Sequence, residues 1–287
     1  MKRILLTLLL LAGANAFALD IGNLINAGKS IVQAQEGMKD LTQEEEIALG
    51  EQLTAGFLGA SPLHPDANLQ RYVNRVGKWL ALHSDRPDLP WTFAVIDTET
   101  INAFAMPGGA VIVSSGLLKR LSSESELAGV LSHEIAHVVK KHQLQAIQSA
   151  AKGNLASSIG KDLAGDAIAR RGGGALAQTG KTMMANVAAD LIKDGLLLRP
   201  LDRSMEYDAD QLGVVIATRS GYDPYGLVGA LEMLAQYKGG GDGASLFSTH
   251  PPAADRLGEL EKFLPSLERH SGQQLEGRFR NVIGAVK

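Results

Sequence analysis

The chain has no cysteine among its 287 residues. Disulfides and anchoring through a lipidated cysteine are therefore excluded, and an exported protein of this kind suits an oxidising compartment. No apolar run reaches 18 residues, so no membrane-spanning helix is expected. Charge of one sign is not in excess: 28 Lys and Arg stand against 31 Asp and Glu. Nothing in that balance suggests nucleic acid or anionic lipid as a partner. No internal repeat is present. What remains is 45% hydrophobic and 21% charged, the composition of a folded protein of one large domain or two modest ones.

The first residues have the pattern of a secretory signal. Lys2 and Arg3 precede the apolar stretch Ile4 to Leu11, and the small residues Ala14, Ala16 and Ala18 follow. A signal peptide over 1–18 would place the mature protein in the periplasm. Its removal takes Lys2 and Arg3 away and moves the formal charge from −3 to −5. Residues 19–41 read as a short N-terminal helical segment.

Thr42-x-x-Glu45 is a capping box opening a helix to about Leu53, and apolar spacing from Leu69 to Leu80 predicts a second helix. Trp91–Ile96 and Ala110–Val113 read as strands, separated by a Pro107-Gly108-Gly109 turn. This is the one convincing β region, so the sheet should be small. Ser123-x-x-Glu126 caps a third helix, expected to reach about Lys141. Residues 143–203 are rich in Ala and Gly and are expected to form a helical cover with a flexible loop. Helices follow over Arg203–Ser220, over Pro224–Tyr237 with Pro224 in the first turn, and from His250-Pro-Pro to Phe263. The catalytic domain is expected over 42–270, with 271–287 as a C-terminal tail.

The third helix carries His133-Glu134-Ile135-Ala136-His137. Positions i and i+4 share a helix face, so two imidazoles can reach one ion. Glu134, beside the first histidine, is left free to act on a water as a general base. The pattern points to catalytic zinc and hydrolysis, and zinc then needs a third protein ligand. The collagenase-like arrangement requires Gly at 140 and His at 143, where this chain has Lys140 and Gln143. His142 would lie about 140° round a continued helix and is expected at the surface or the helix end. Glu206 is the better candidate, with Asp210 one turn later to accept a hydrogen bond from a ligating histidine. The alternative is a solvated acidic helix face, to which Asp208 belongs.

Together these residues resemble the HtpX/CAAX prenyl endopeptidase group of gluzincin zinc metallopeptidases. The resemblance rests on His133-Glu-x-x-His137 with Glu206-x-x-x-Asp210, on Asn102-Ala103-Phe104-Ala105-Met106-Pro107-Gly108-Gly109, on Gly221-Tyr-Asp-Pro224, and on His250-Pro-Pro252 followed by Arg256. It spans about 42–264 and is similar to the soluble periplasmic branch typified by BepA and LoiP, without BepA's helical-repeat domain or LoiP's lipidated cysteine.

The resemblance implies a mostly helical, zincin-like α+β fold with a small sheet next to the active-site helix. It implies one zinc per subunit, held by His133, His137 and Glu206. Residues 102–109 would form an edge strand that an extended peptide could pair with. His250 would be a fourth ligand in a latent form or an oxyanion stabiliser, and Arg256 would support the loop or the transition state. The implied role is an endopeptidase for misfolded or stalled envelope proteins, beside outer-membrane assembly machinery. A second reading stays open: a zinc-stabilised periplasmic chaperone or assembly factor whose peptidase activity is latent. A small-molecule metallohydrolase is weaker, since an edge strand suits an extended peptide.

Overall fold

The computed structural model describes residues 41–150, 201–236, 250–267 and 271–284. The signal segment, residues 19–40 and positions 151–200 of the Ala/Gly-rich region lie outside the described residues.

Helix α1 (Gln43–Ala60) opens on the expected box: Glu45 N donates to Thr42 Oγ1 at 3.3 Å, and Thr42 N to Glu45 Oε2 at 3.1 Å. It runs beyond Leu53 because the next breaker is Pro62, which disfavours helix at Ser61. Helix α2 (Ala67–Ala81) is capped by Asp66, whose carboxylate accepts from Asn68 N and Leu69 N. Its buried stripe of Leu69, Val73, Val76 and Leu80 covers one face of the sheet.

The sheet has three strands in the order β1 (Thr92–Ile96), β3 (Ala110–Ser114), β2 (Ala103–Met106). β1 runs parallel to β3 with Thr92 opposite Ala110, and β2 runs antiparallel to it with Ala103 opposite Val113. The β2–β3 turn needs glycine twice, since Gly108 and Gly109 have φ of 79° and 111°. A Cβ on Gly108 would also stand 2.6 Å from Ile47 Cα of α1.

After the short α3 (Ser115–Leu118) comes α4 (Glu124–Val139), capped by Ser123. Nearly every residue of α4 is buried, the mark of a helix enclosed on all sides. Its neighbours include α2, β2, α5 (Arg203–Arg219) and α6 (Gly226–Gln236). The crossing of α4 and α5 is close: a Cβ on Gly213 would lie 2.9 Å from His133 N. Two elements follow, α7 (Ala253–Phe263) and α8 (Glu276–Ile283), with a 3₁₀ turn at Leu264–Leu267 after α7. The fold is thus mostly helical α+β with a small mixed sheet, as expected.

Three details differ from expectation. Pro224 precedes α6 rather than opening it, in a turn where Asp223 accepts from Tyr225 N and Gly226 N. The Glu126 side chain accepts from Ser122 N, one residue before the cap, so the second capping box is displaced. Of the expected tail, residues 271–284 are described and include helix α8. Phe279 and Ile283 of α8 enter the core, and Arg278 pairs with buried Glu124. The i, i+4 spacing of those two apolar residues gives α8 a face to bury. Among the described residues no helix is long and apolar enough to cross a membrane.

Candidate active site

Helix α4 turns His133, Glu134 and His137 inward, and all three are buried. From α5 come Glu206 and Asp210, one turn apart and also buried, whereas Asp208 between them faces solvent. His250 approaches from the segment before α7, and Arg256 from α7 itself.

His133 Nε2 and His137 Nε2 are 3.0 Å apart, and each lies 3.6 Å from a different oxygen of Glu206. One ligand atom from each of His133, His137, Glu206 and His250 lies within 4.8 Å of the others. Ligands of a tetrahedral zinc at about 2.1 Å are separated by roughly 3.4 Å, so this donor set fits that ion. Its chemistry fits as well. Burial holds His137 well below the usual histidine range, which keeps it in the neutral, ligating form. Burial opposes ionisation of Glu206 too, but His250 beside it outweighs that cost and keeps the carboxylate charged. Glu206 Oε1 is buried with no hydrogen-bond partner, as expected of an oxygen awaiting a cation.

Glu134 does not join the donor set. Its Oε1 is likewise buried without a hydrogen bond, 3.9 Å from His250 Nε2. Burial pushes its pKa up, bringing a carboxylate nearer to a poised acid–base group. His250 Nδ1 donates to Glu206 Oε2 at 2.7 Å. Burial works against its protonation, yet Glu206 and Glu134 together raise its pKa.

Asp210 Oδ1 lies 2.9 Å from His133 Nδ1, which leaves Nε2 free on the metal side. Asp210 also accepts two hydrogen bonds from Arg256, Nε to Oδ2 at 2.9 Å and Nη2 to Oδ1 at 2.5 Å. Although burial opposes ionisation, Arg256 holds this carboxyl well below its usual range. Arg256, expected to support the loop or the transition state, does not lie on the helix surface. It is 3% exposed, because the buried Asp210 charge gives it a partner.

A family model for peptidase family M48 matches residues 67–264, which contain this whole arrangement. The chain belongs to peptidase family M48. It is 30% identical over 219 residues to the beta-barrel assembly-enhancing protease of Escherichia coli (strain K12), covering 75% of this chain and 43% of that protein. It is 32% identical over 198 residues to the mitochondrial metalloendopeptidase OMA1 of Schizosaccharomyces pombe, covering 69% and 53%. With metalloprotease YcaL of Escherichia coli (strain K12) it shares 30% identity over 197 residues, or 68% and 71%. The chain thus spans less than half the length of the beta-barrel assembly-enhancing protease.

Within the M48 domain, the predicted substrate strand is β2, at one edge of the sheet and packed on α4. Met106 is buried and Phe104 half-buried, with the Phe104 ring 4.8 Å from that of Phe57 on α1. Of the two places expected for His142, it takes the helix end and not the surface. It is 3% exposed, and its Nδ1 lies 2.9 Å from His137 Nδ1. An offset of 140° requires that the helix continue. Instead α4 ends at Val139, and Lys141 adopts a left-handed φ of 58°. That conformation costs a non-glycine residue about 1 kcal/mol or more. No Gly or Asn marks the reversal, so local sequence carried no signal for it.

Proposed function

We propose that this protein is a zinc-dependent endopeptidase of the periplasm that cleaves unfolded or misassembled envelope proteins. The observation that carries the reading is Glu134, a buried carboxylate whose orphaned oxygen adjoins the donor set without being needed in it. His133, His137 and Glu206 would hold one zinc, which polarises a carbonyl and makes water nucleophilic near neutral pH. Glu134 takes the proton from that water and delivers it to the leaving amine. Asp210 orients His133 and is itself oriented by Arg256, whose guanidinium also lies directly against the donor set, 3.2 Å from His133 Nδ1 and 3.8 Å from Glu206 Oε2. An extended peptide laid along β2 would pair by backbone hydrogen bonds, which gives loose sequence preference.

The envelope role follows the signal-like N-terminus and the printed name of the beta-barrel assembly-enhancing protease. Misfolded or stalled outer-membrane proteins are the substrates this suggests, with the outer-membrane assembly machinery as a neighbour. His250 supports a resting form: its Nδ1 holds Glu206 Oε2 while Oε1 stays without a hydrogen bond, and its Nε2 lies 3.9 Å from Glu134. In that form His250 would serve as a fourth ligand, and after a movement of its loop it would be placed to stabilise an oxyanion. The same contact favours a second reading, a chaperone-like factor with latent peptidase activity.

Glu134→Gln separates the two readings. Full zinc content with lost cleavage of unfolded protein supports the enzyme, and undiminished cleavage overturns the assignment. For His250→Ala, zinc affinity and turnover should both change; wild-type values for both would remove His250 from the site.

A further inference from the structure

The two histidines on α4 are held from behind by different chemistry. His133 Nδ1 faces a carboxylate, Asp210. His137 Nδ1 faces a second imidazole, His142, at 2.9 Å. Only one of two facing ring nitrogens can carry the proton in a neutral pair. If His137 Nε2 faces the metal, its Nδ1 must be the donor and His142 Nδ1 the acceptor.

His142 does not reach this place by helical periodicity. The chain turns at left-handed Lys141, and the turn is anchored from several sides. Lys141 Nζ is 3.4 Å from Glu46 Oε2, and Glu46 is gripped by both terminal nitrogens of Arg86 at 2.8 and 3.0 Å. Arg86 Nη1 also donates to Val138 O, the penultimate carbonyl of α4, at 3.2 Å. A new helical stretch, residues 142–150, then starts at His142 itself, with Gln145 N donating to Lys141 O at 2.9 Å. A left-handed lysine whose half-exposed side chain reaches the buried Glu46 carboxylate, ahead of a histidine aimed at a ligand, is an outlier that asks for a function.

The geometry points to His142 as a positioning residue for zinc: a neutral hydrogen-bond acceptor that fixes the tautomer and ring orientation of His137, delivered by the Lys141 turn. This rests on the zinc reading above. The two orienting partners divide the work. Asp210 adds negative charge behind His133, while His142 orients His137 without adding any. A site that already holds Glu206, Glu134 and Asp210 gains order on that side with no fourth buried carboxylate.

The test is zinc affinity of the full chain, measured by competition with a chromophoric chelator, for wild type, His142→Asn, His142→Phe and Lys141→Val. Asn offers an acceptor oxygen close to the Nδ1 position, and Phe offers the ring without an acceptor. His142→Phe should weaken zinc binding by roughly 10- to 100-fold, and His142→Asn should recover most of the loss. Packing alone predicts the reverse order, since Phe preserves the volume and Asn does not. Phe equal to wild type, or Asn no better than Phe, overturns the inference. Lys141→Val leaves every ring intact but strains the left-handed turn, so it too should weaken binding if the turn delivers His142. It keeps the inference testable if a His142 variant does not fold, and unchanged affinity there counts against it. A wild-type chain that binds no stoichiometric zinc overturns instead the reading on which the inference rests.

Discussion

The two ends of helix α4 both bury carboxylates, and they treat them in opposite ways. At the N-terminal end, Glu124 is fully buried and every oxygen is partnered. Tyr72 Oη donates at 2.8 Å, Tyr222 Oη at 2.7 Å, and Arg278 of α8 adds an ion pair. The helix N-terminus further favours the negative charge. Burial opposes ionisation of Glu124, but Arg278 and the two tyrosines more than offset it and lower its pKa. Toward the C-terminal end, Glu134, and Glu206 facing it from α5, each keep one buried oxygen with no hydrogen bond. Burial is common to both ends, so burial alone does not identify a site. Satisfaction does: one cluster is closed and structural, and the other is left open for an ion, a water or a substrate.

Breaking each end in turn should give opposite phenotypes. Glu134→Gln should lower kcat by about 10²- to 10⁴-fold or more in a peptide-cleavage assay. Its zinc content and melting temperature should hold, because no partnered group is lost. Glu124→Gln should do the reverse. The carboxylate is buried but Arg278 is 56% exposed, so solvent screens the pair; a loss of about 1–2 kcal/mol should shift thermal unfolding down by roughly 2–8 °C. Activity per folded, zinc-loaded molecule should stay near wild type. A Glu124→Gln protein that is stable but inactive would mean that the N-terminal cluster serves the chemistry, and the contrast would fail.

Legibility in the sequence follows the range of the interaction. His133, Glu134 and His137 were readable because a four-residue spacing on a capped helix has one geometric outcome. β1 and β3 were readable from their β-branched and aromatic runs beside the Pro107-Gly108-Gly109 turn, whereas β2 followed only from the family resemblance. Glu206 with Asp210 was half readable: their spacing put them on one face, but an acidic face is usually solvated, and only packing against α4 buries them. Arg256 and His250 are buried by partners 46 and 44 residues away, which periodicity does not encode. His142 was readable only as far as the helix end, for a sharper reason. Its position depends on the backbone of Lys141, and the groups that meet that left-handed turn, Glu46 and Arg86, come from elsewhere in the chain. Helix α8 was missed because its short apolar face matters only once Glu124 supplies an anchor for Arg278.

The smallest expected effect concerns pH, and it isolates the closed cluster. The folded pKa of Glu124 is depressed below its ordinary value of 4.5. The stability it contributes is therefore fully present above that value and is lost as pH falls below it toward the folded value. Glu46, depressed in the same direction through Arg86 despite the cost of burial, adds to the same acid-side slope. Chelator-treated protein is the right sample, since protonation of the histidines would otherwise release metal in the same range. The melting temperature of the metal-free wild type should fall as the buffer is taken from pH 5 to lower values. The slope should be shallower, though not flat, in Glu124→Gln, because Glu46 still titrates there. Equal slopes would assign the acid sensitivity to Glu46 and the rest of the molecule. The N-terminal cluster would then hold α4 through its tyrosine hydrogen bonds rather than through its charge.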